Sequence, residues 1–246
     1  MNDNINVLEG SFPLAKINLS QNENMFLQSG AMVYKDTGIK LKARLNAEGS
    51  GFTKFIKAVG RSIASSENIF ITEAIAERPG VIALAPPVPG KIGILNCGQN
   101  QYRLNDGAFL ALDGSARYKM KRQTLGKAIF SKSGGLFVME TEGEGNLLIN
   151  AFGNIETIEL HGDSITIDNG HVLAWDKNLD YNIHMETGFW DSIGTGEGLV
   201  NTFTGHGKIY IQTLNLESFA SVLQPKIVGT ESSSSSNSIN LIDTIF

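Results

Sequence analysis

The sequence is poor in several residue types, and each scarcity excludes a class of protein. It contains a single cysteine, Cys97, which excludes an internal disulfide framework and is compatible with a reducing compartment. No stretch approaches the roughly 18 consecutive apolar residues of a membrane-spanning helix. Only 18% of the residues are charged and the net charge is -5, which argues against a general nucleic-acid binder because phosphate contacts need clustered Lys and Arg.

The first residues are polar and acidic, and they lack the basic and apolar regions of a secretory signal. We therefore predict a cytoplasmic protein. With 27 glycines and only 6 prolines, the composition is typical of many short strands joined by tight turns.

One eight-residue pattern occurs three times, at 29–36, 106–113 and 169–176. Each copy has a small polar residue, a glycine, a mainly apolar run and an aspartate six positions after the glycine. We expect positive φ or close backbone approach at the glycine, a buried strand after it, and a turn in which the Asp side chain bonds its own backbone two residues on. The repeated turn residues are Gly30, Asp36, Gly107, Asp113, Gly170 and Asp176.

The agreement between the copies extends further along the chain. Tyr118 and Tyr181 each lie eleven residues after the repeated glycine, and Leu41 takes that place in the first copy. In the last two copies a second hairpin is expected, with its turn at 143–145 and at 205–207 respectively. The matching strand of the first copy comes about ten residues late, which indicates an insertion.

The insertion spans 46–66 and contains apolar residues at helical spacing, with basic residues between them. We interpret it as a short helix that covers a sheet edge. The alternative is a membrane or partner face. That face would consist of Phe52, Phe55, Ile56 and Val59.

These observations predict an all-β protein of three tandem β-sandwich, jelly-roll-like repeats, with a short helical insertion in the first. Repeat one spans 1–90 and ends in a proline-rich connector. Repeat two spans 91–160 and repeat three spans 161–224. A Ser-rich tail follows at 225–246, and its apolar end, 239–246, has no explanation in the repeat pattern.

Few residues are arranged for chemistry. The four histidines lack close ligand spacing, so we predict neither a metal site nor a cofactor. The glycine-rich segment at 194–198 precedes a strand pattern rather than the helix of a phosphate-binding loop. Cys97 beside a turn is interpreted as inert. Glu140 and its neighbouring carboxylates are interpreted as a solvated strand face, and the basic run 118–122 as either such a face or a local anion site.

Several motifs in order resemble the altered-inheritance-of-mitochondria family, over roughly residues 10 to 220. They occur at 28–34, 84–92, 106–111, 153–156, 169–176, 203–205 and 211–213. The resemblance implies three β-sandwich modules similar to those of the tryptophan RNA-binding attenuation protein, and three chains that close into a ring of nine modules. It offers no settled activity and no catalytic residues.

We therefore expect a protein that is not an enzyme, a ring-forming scaffold or binding protein whose partner is itself, as a homotrimer. An unknown protein or small ligand is a further expected partner. One alternative is a small-ligand or RNA-binding module that acts in grooves between repeats, although the net charge argues against nucleic acid. Another is a peripheral membrane protein that acts through the 52–63 segment.

Overall fold

The structure is a computed structural model that describes residues 4–45, 70–105, 107–122, 137–185 and 198–227. The predicted all-β class is confirmed, since strands dominate and pair into antiparallel sheets. The predicted helical insertion at 46–66 and the Ser-rich run of the tail lie outside the described residues.

The described residues form seventeen strands and one α-helix. In chain order the strands are β1 (Ile5–Leu8), β2 (Leu14–Leu19), β3 (Asn24–Gln28), β4 (Met32–Lys35), β5 (Ile39–Leu45), β6 (Phe70–Ala76), β7 (Gly80–Leu84), β8 (Gly90–Cys97), β9 (Tyr102–Leu104), β10 (Phe109–Asp113), β11 (Arg117–Arg122), β12 (Phe137–Glu142), β13 (Gly145–Phe152), β14 (Ile155–Asp168), β15 (Val172–Asp176), β16 (Asp180–Met185) and β17 (Leu199–Gln212). The helix, α1, spans Leu216–Ile227.

The strands form three sheets. The first has the order β1-β2-β7-β4, the second β5-β6-β3-β10-β13-β8, and the third β11-β12-β9-β15-β17-β14, with β16 also paired to β17. All of these pairings are antiparallel. Parallel pairing would require long crossover connections, whereas this chain has many short turns.

The three strands that lie between a repeated glycine and its aspartate are β4, β10 and β15, here called the Gly–Asp strands. They pair in the same way, with β7, β13 and the second part of β17 respectively. Each pairing has a register shift at the same place, between the second and fourth residues after the glycine. A bulge bends a strand and increases its twist, so the recurring shift gives the three strands a common shape.

Two of the Gly–Asp strands also pair with the strand that ends just before the previous glycine. β10 pairs with β3, and β15 pairs with β9. We call these two pairings the inner seams. Each inner seam joins three strands of one repeat to three strands of the next, which explains the six-strand path of the second and third sheets.

Three hydrophobic clusters lie between the sheets. The first is built around Ile17, Leu27 and Ile82, the second around Leu104 and Leu147, and the third around Trp175, which is fully buried. Alternating burial along β2 and β3 places one side chain of each pair in the first cluster, as expected for strands with one face on a core.

The hairpins expected at 143–145 and at 205–207 are both wrong. At 143–145 the flanking strands β12 and β13 lie in different sheets and do not pair with each other. β14 and β17 are long strands that pair along their whole length, and they bend together where the register shifts between His161 and Ser164. Gly162 and Gly205 have φ values of 105° and 119° there, which residues with a side chain rarely adopt. The glycines therefore allow the two strands to continue through the register shift within one sheet, without a turn.

The helix α1 closes the described part of the chain. The Oδ1 of Asn215 accepts hydrogen bonds from the backbone N–H groups of Glu217 (2.9 Å) and Ser218 (3.2 Å), which caps the helix start. The ring of Phe219 packs on that of Phe152 with centroids 5.2 Å apart. This contact docks the helix beside the end of β13.

Candidate assembly interface

The repeated aspartates hold each Gly–Asp strand against its neighbour. The Oδ2 of Asp36 accepts a hydrogen bond from the Val81 backbone at 2.9 Å, that of Asp113 from Asn146 at 2.7 Å, and that of Asp176 from Lys208 at 2.8 Å. The predicted local bond, two residues along the chain, is therefore replaced by a bond across the sheet. The three side chains clamp equivalent strands.

The repeated glycines are less uniform. Gly30 and Gly107 have φ values of 82° and 81°, as expected, and an added Cβ would meet nothing within 4 Å at either position. Gly170 does not have positive φ, because it lies in a 3-10 turn that Asp168 caps through a hydrogen bond from the Gly170 backbone. An added Cβ at Gly170 would collide with the side chain of Asn215. The third glycine is needed for space.

A buried carboxylate lies at each inner seam. Glu140 is 4% exposed, and it bonds Arg103 at 2.8 Å and Lys121 at 2.9 Å, with Lys177 at 3.9 Å. The interpretation of Glu140 as part of a solvated face is therefore wrong. At the other seam Glu73 is 5% exposed and bonds Arg44 at 2.6 Å.

The two carboxylates are ionised because of these partners. Burial alone would raise the pKa of Glu140, but hydrogen bonds from Lys121 and Arg103 and their positive charges bring it below its ordinary value. At Glu73 burial also raises the pKa, and the bonds from Asn24 and Arg44 with the nearby charge lower it overall. These charges pair with each other, and the run 118–122 contributes one partner, Lys121.

The first Gly–Asp strand differs from the other two in exposure. In β10 and β15 the first four residues are all buried. In β4 the corresponding side chains are exposed: Met32 by 38%, Val33 by 55% and Tyr34 by 44%. Among the described residues β4 pairs only with β7, so its other edge is open.

A second open edge lies at the other end of the described sheets. The part of β14 from Ser164 to Asp168 precedes the third repeated glycine, as β3 and β9 precede the first two. Within the described ranges its only partner is β17, whereas β3 and β9 each have a Gly–Asp strand on the equivalent side. The described part of the chain thus leaves one Gly–Asp strand, β4, and one strand that precedes a repeated glycine, β14, without a partner on this side.

The residue eleven positions after each repeated glycine follows the same division. Tyr118 packs edge-on against Phe26 of the preceding repeat with centroids 5.3 Å apart. The guanidinium of Arg103, also from the preceding repeat, lies 5.1 Å from the centre of the Tyr181 ring. Leu41, at the same position in the first copy, is 36% exposed. Leu41 is therefore exposed at a position where the second and third copies contact the preceding repeat.

Other residues singled out in the sequence lie apart from these edges. Cys97 is buried, and this burial raises the pKa of its thiol. No group of three His, Cys, Asp or Glu side chains that could hold a metal ion occurs among the described residues. No described helix is long and apolar enough to cross a membrane. The proposed partner face of Phe52, Phe55, Ile56 and Val59 lies outside the described residues.

Sequence reasoning did not locate the open edges, although one signal pointed to their place. The first of three tandem copies has no copy before it, so its Gly–Asp strand lacks the partner that the other two have. The apolar composition of Met32, Val33 and Tyr34 resembles that of a buried strand. The burial of Glu140 had no signal in its own segment, because its partner Arg103 comes 37 residues earlier.

Comparison with known proteins identifies close relatives. The family model described as mitochondrial biogenesis AIM24 matches residues 5–214. An uncharacterized protein of Streptococcus pyogenes serotype M6 is 57% identical over 213 residues, which are 87% of this chain and 86% of the relative. A crystal structure of a Streptococcus pyogenes protein superposes with a TM-score of 0.77 at 53% identity, and the match covers 89% of this chain and 97% of that one.

Proposed function

The chain belongs to the mitochondrial biogenesis AIM24 family, and we propose that it is a non-enzymatic scaffold or binding protein whose copies join edge to edge into a ring. The observation that carries the proposal is the contrast between exposed β4 and its two buried counterparts. An open, apolar strand edge is a template for pairing with another chain. The partner of complementary shape is the open part of β14 in a second copy.

The two inner seams give the register of this contact. Ala111 pairs with Leu27, and Ala174 pairs with Leu104. In both seams the fourth residue after one repeated glycine therefore lies opposite the third residue before the preceding repeated glycine. Applied to the open edges, this rule places Tyr34 opposite Ile167 of a neighbouring copy.

A backbone hydrogen bond follows the same rule. Gly114 donates to the carbonyl of Asn24 at 2.9 Å, and Lys177 donates to that of Gln101 at 2.7 Å. Each donor is the seventh residue after its glycine. We therefore expect Thr37 to donate to Ser164 of the neighbouring copy, while Leu41 covers Thr166 as Tyr118 covers Phe26.

A contact between two different edges is heterologous, so it generates a closed ring or an open filament. A closed ring leaves neither edge exposed. The family resemblance implies three chains and nine modules in such a ring, and we adopt the homotrimer as the proposed state. Ring formation would join β4, and with it the first sheet, to the open part of β14 in the neighbouring copy. Because that part of β14 pairs with β17, and β17 with β16, one sheet would then cross from each copy to the next.

The non-enzymatic character is supported by the structural contacts of the repeated aspartates and of the two seam carboxylates. The repeated aspartates clamp strands, and Glu73 and Glu140 neutralise cations at the seams. Each group thus has a structural partner. We further propose that the ring is cytoplasmic, consistent with a single buried thiol, Cys97, in place of a disulfide framework.

The decisive test is the solution mass, measured by light scattering at several concentrations. We expect three times the chain mass of 26.6 kDa.

A variant at Lys35 tests which edge forms the ring. Asp36 donates its N–H to Val81 within the chain, and backbone N–H groups alternate in direction along a strand, so the N–H of Lys35 points to the open edge. Lys35→Pro removes that donor and should give a monomer, since proline is tolerated at an edge strand.

The matched control is Lys35→Ala, which removes the same side chain but keeps the N–H group. It should retain the assembled mass. A monomeric wild-type chain would refute the ring, and an unchanged mass for Lys35→Pro would refute β4 as the edge that forms it.

A further inference from the structure

We infer that the groove beside β8 binds the C-terminal segment of this chain, residues 239–243, as an added antiparallel strand. This site lies within one chain and does not depend on the ring. Residues after 214 also lie outside the family match, so the family does not assign them a role.

The groove is a cavity of about 480 Å³ between the second and third repeats. Five consecutive residues of β8, from Lys91 to Leu95, line one side of it, and β14 and β17 contribute Ile155 and Tyr210 to the other. Consecutive residues line a cavity when the backbone edge of a strand faces it. Among the described residues β8 pairs only with β13. The N–H of Gly90 on the other edge donates to Ser11 at 2.8 Å, and from Lys91 to Leu95 this edge has no described strand beside it.

The first repeat contains the same edge in its occupied form. β2 occupies the position in the first sheet that β8 occupies in the second, since β2 pairs with β7 and β8 pairs with β13. The outer edge of β2 carries β1, paired from Ile5 opposite Ile17 to Leu8 opposite Leu14. The internal repeat therefore shows what fits such an edge, which is a short strand.

The contacts of β1 identify its groove as the equivalent of the cavity. Ile5 and Val7 pack against the first cluster, which includes Ile92 and Leu148. One repeat later, Ile155 takes the place of Ile92 and Tyr210 takes the place of Leu148, according to the strand registers. Both of these line the cavity. Among the described residues, no strand fills the space between repeats two and three that is equivalent to the one β1 fills between repeats one and two.

The tail contains a segment similar in sequence to β1. β1 and the next residue read Ile-Asn-Val-Leu-Glu, from Ile5 to Glu9, and residues 239–243 read Ile-Asn-Leu-Ile-Asp. Both are aliphatic, Asn, aliphatic, aliphatic, acid. The apolar side chains of this segment can stabilise the protein only if they are buried against it, because apolar side chains gain free energy only on burial.

The registers place the tail residue by residue. Ile17 and Leu95 are equivalent, because Ile17 pairs with Ile82 and Leu95 with Leu147 in the same row. Ile239 would therefore lie opposite Leu95, and Leu241 opposite Gly93. The missing side chain of Gly93 leaves room for Leu241 above Ile149 and Ile155.

Charge and chain length agree with this placement. Asp243 would lie beside Lys91, whose Nζ is 3.3 Å from Glu9 and keeps further donors. The helix α1 docks near the start of β8, since Phe219 contacts Phe152 and Phe152 pairs with Gly90. The eleven residues between Ile227 and Ile239 can span up to roughly 40 Å, more than twice the length of the five residues of β8 that line the cavity.

Hydrogen exchange of the full chain tests the proposal. Amides in the segment 90–97 should exchange at least about tenfold more slowly in the full chain than in a chain that ends at Val228. A synthetic peptide of residues 237–246, added to the shortened chain, should restore the protection. Leu241→Asp in the full chain should reproduce the shortened chain, because it puts a charge against Ile149 and Ile155.

Ile245→Asp is the matched control, since it adds the same charge outside the five matched positions, and it should keep the protection. Equal exchange at 90–97 in the full and shortened chains would overturn the proposal. So would equal losses from Leu241→Asp and Ile245→Asp, or protection gained at β14 in place of β8. A monomeric mass would refute the ring and leave this result unaffected.

Discussion

The two inner seams and the open edges use the same kind of strand in different surroundings. Ala111 and Ala174 occupy the fourth position after their glycines and are fully buried, whereas Tyr34 at that position is 44% exposed. The side chain at the inner seams is small because the strand is enclosed on all sides. The repeat therefore determines how the backbones pair. The size and exposure of the side chain at this position differ according to whether the partner strand belongs to the same chain.

The largest expected effect breaks this comparison with one charge placed at both positions. Ala111→Asp buries a carboxylate without a partner in the first cluster and should lower the free energy of unfolding by about 4 kcal/mol. Tyr34→Asp should change it by less than about 0.5 kcal/mol in the monomer, because the site is open. Urea unfolding measures both.

Tyr34→Asp should also reduce the solution mass to that of one chain. If it destabilised the monomer as much as Ala111→Asp does, β4 would be part of a core and not an open edge. If Ala111→Asp were harmless, the inner seam would not be tightly packed.

The seam carboxylates give the next largest effect. Glu140→Gln leaves Arg103 largely buried without its counter-charge and should cost about 2–3 kcal/mol at neutral pH. Glu73→Gln should cost about 1 kcal/mol, because its partner Arg44 is 56% exposed and water solvates the cation. Thermal unfolding of both variants beside the wild type measures the difference.

The pH dependence of this effect has a definite sign. The folded-state pKa of Glu140 lies below its ordinary value of 4.5, so its stabilisation is present above that pH and is lost as pH falls through the lowered pKa. The difference between wild type and Glu140→Gln should therefore shrink in acid. A difference that stayed constant from pH 7 to pH 2 would show that lost packing, and not charge, is its cause.

Part of this organisation was predictable from the sequence. The spacing from glycine to aspartate located the three Gly–Asp strands, because turn and strand chemistry are local. The partner of each aspartate was not predictable, since Asp36 bonds Val81 across the sheet. Likewise, Gly205 and Gly207 look like a turn in sequence, and only the continuous pairing of β14 with β17 makes them a bend.

The open edges were harder to predict for a different reason. Exposure depends on which strands are absent beside an element, and a segment's own residues carry little information about that. Met32 and Val33 have the composition of a core strand, and their exposure follows from their place in the first repeat. The burial of Glu140 likewise depends on Arg103 in the adjacent strand, β9.

The smallest expected effect sharpens the comparison at the eleventh position after the glycine. Leu41→Ala should leave the unfolding of the monomer nearly unchanged, because Leu41 already contacts water. In the ring it would lose the cover over Thr166 of the neighbour, and we expect each edge contact to weaken by about 1 kcal/mol, roughly fivefold in dissociation constant. Mass measured over a dilution series detects such a change.

Tyr118→Ala is the internal reference. The ring of Tyr118 packs on Phe26 in the same chain, so this substitution should lower the free energy of unfolding by about 2–3 kcal/mol. Equal dilution curves for Leu41→Ala and the wild type would show that Leu41 takes no part in the contact between copies, which would then rest on the backbone of β4.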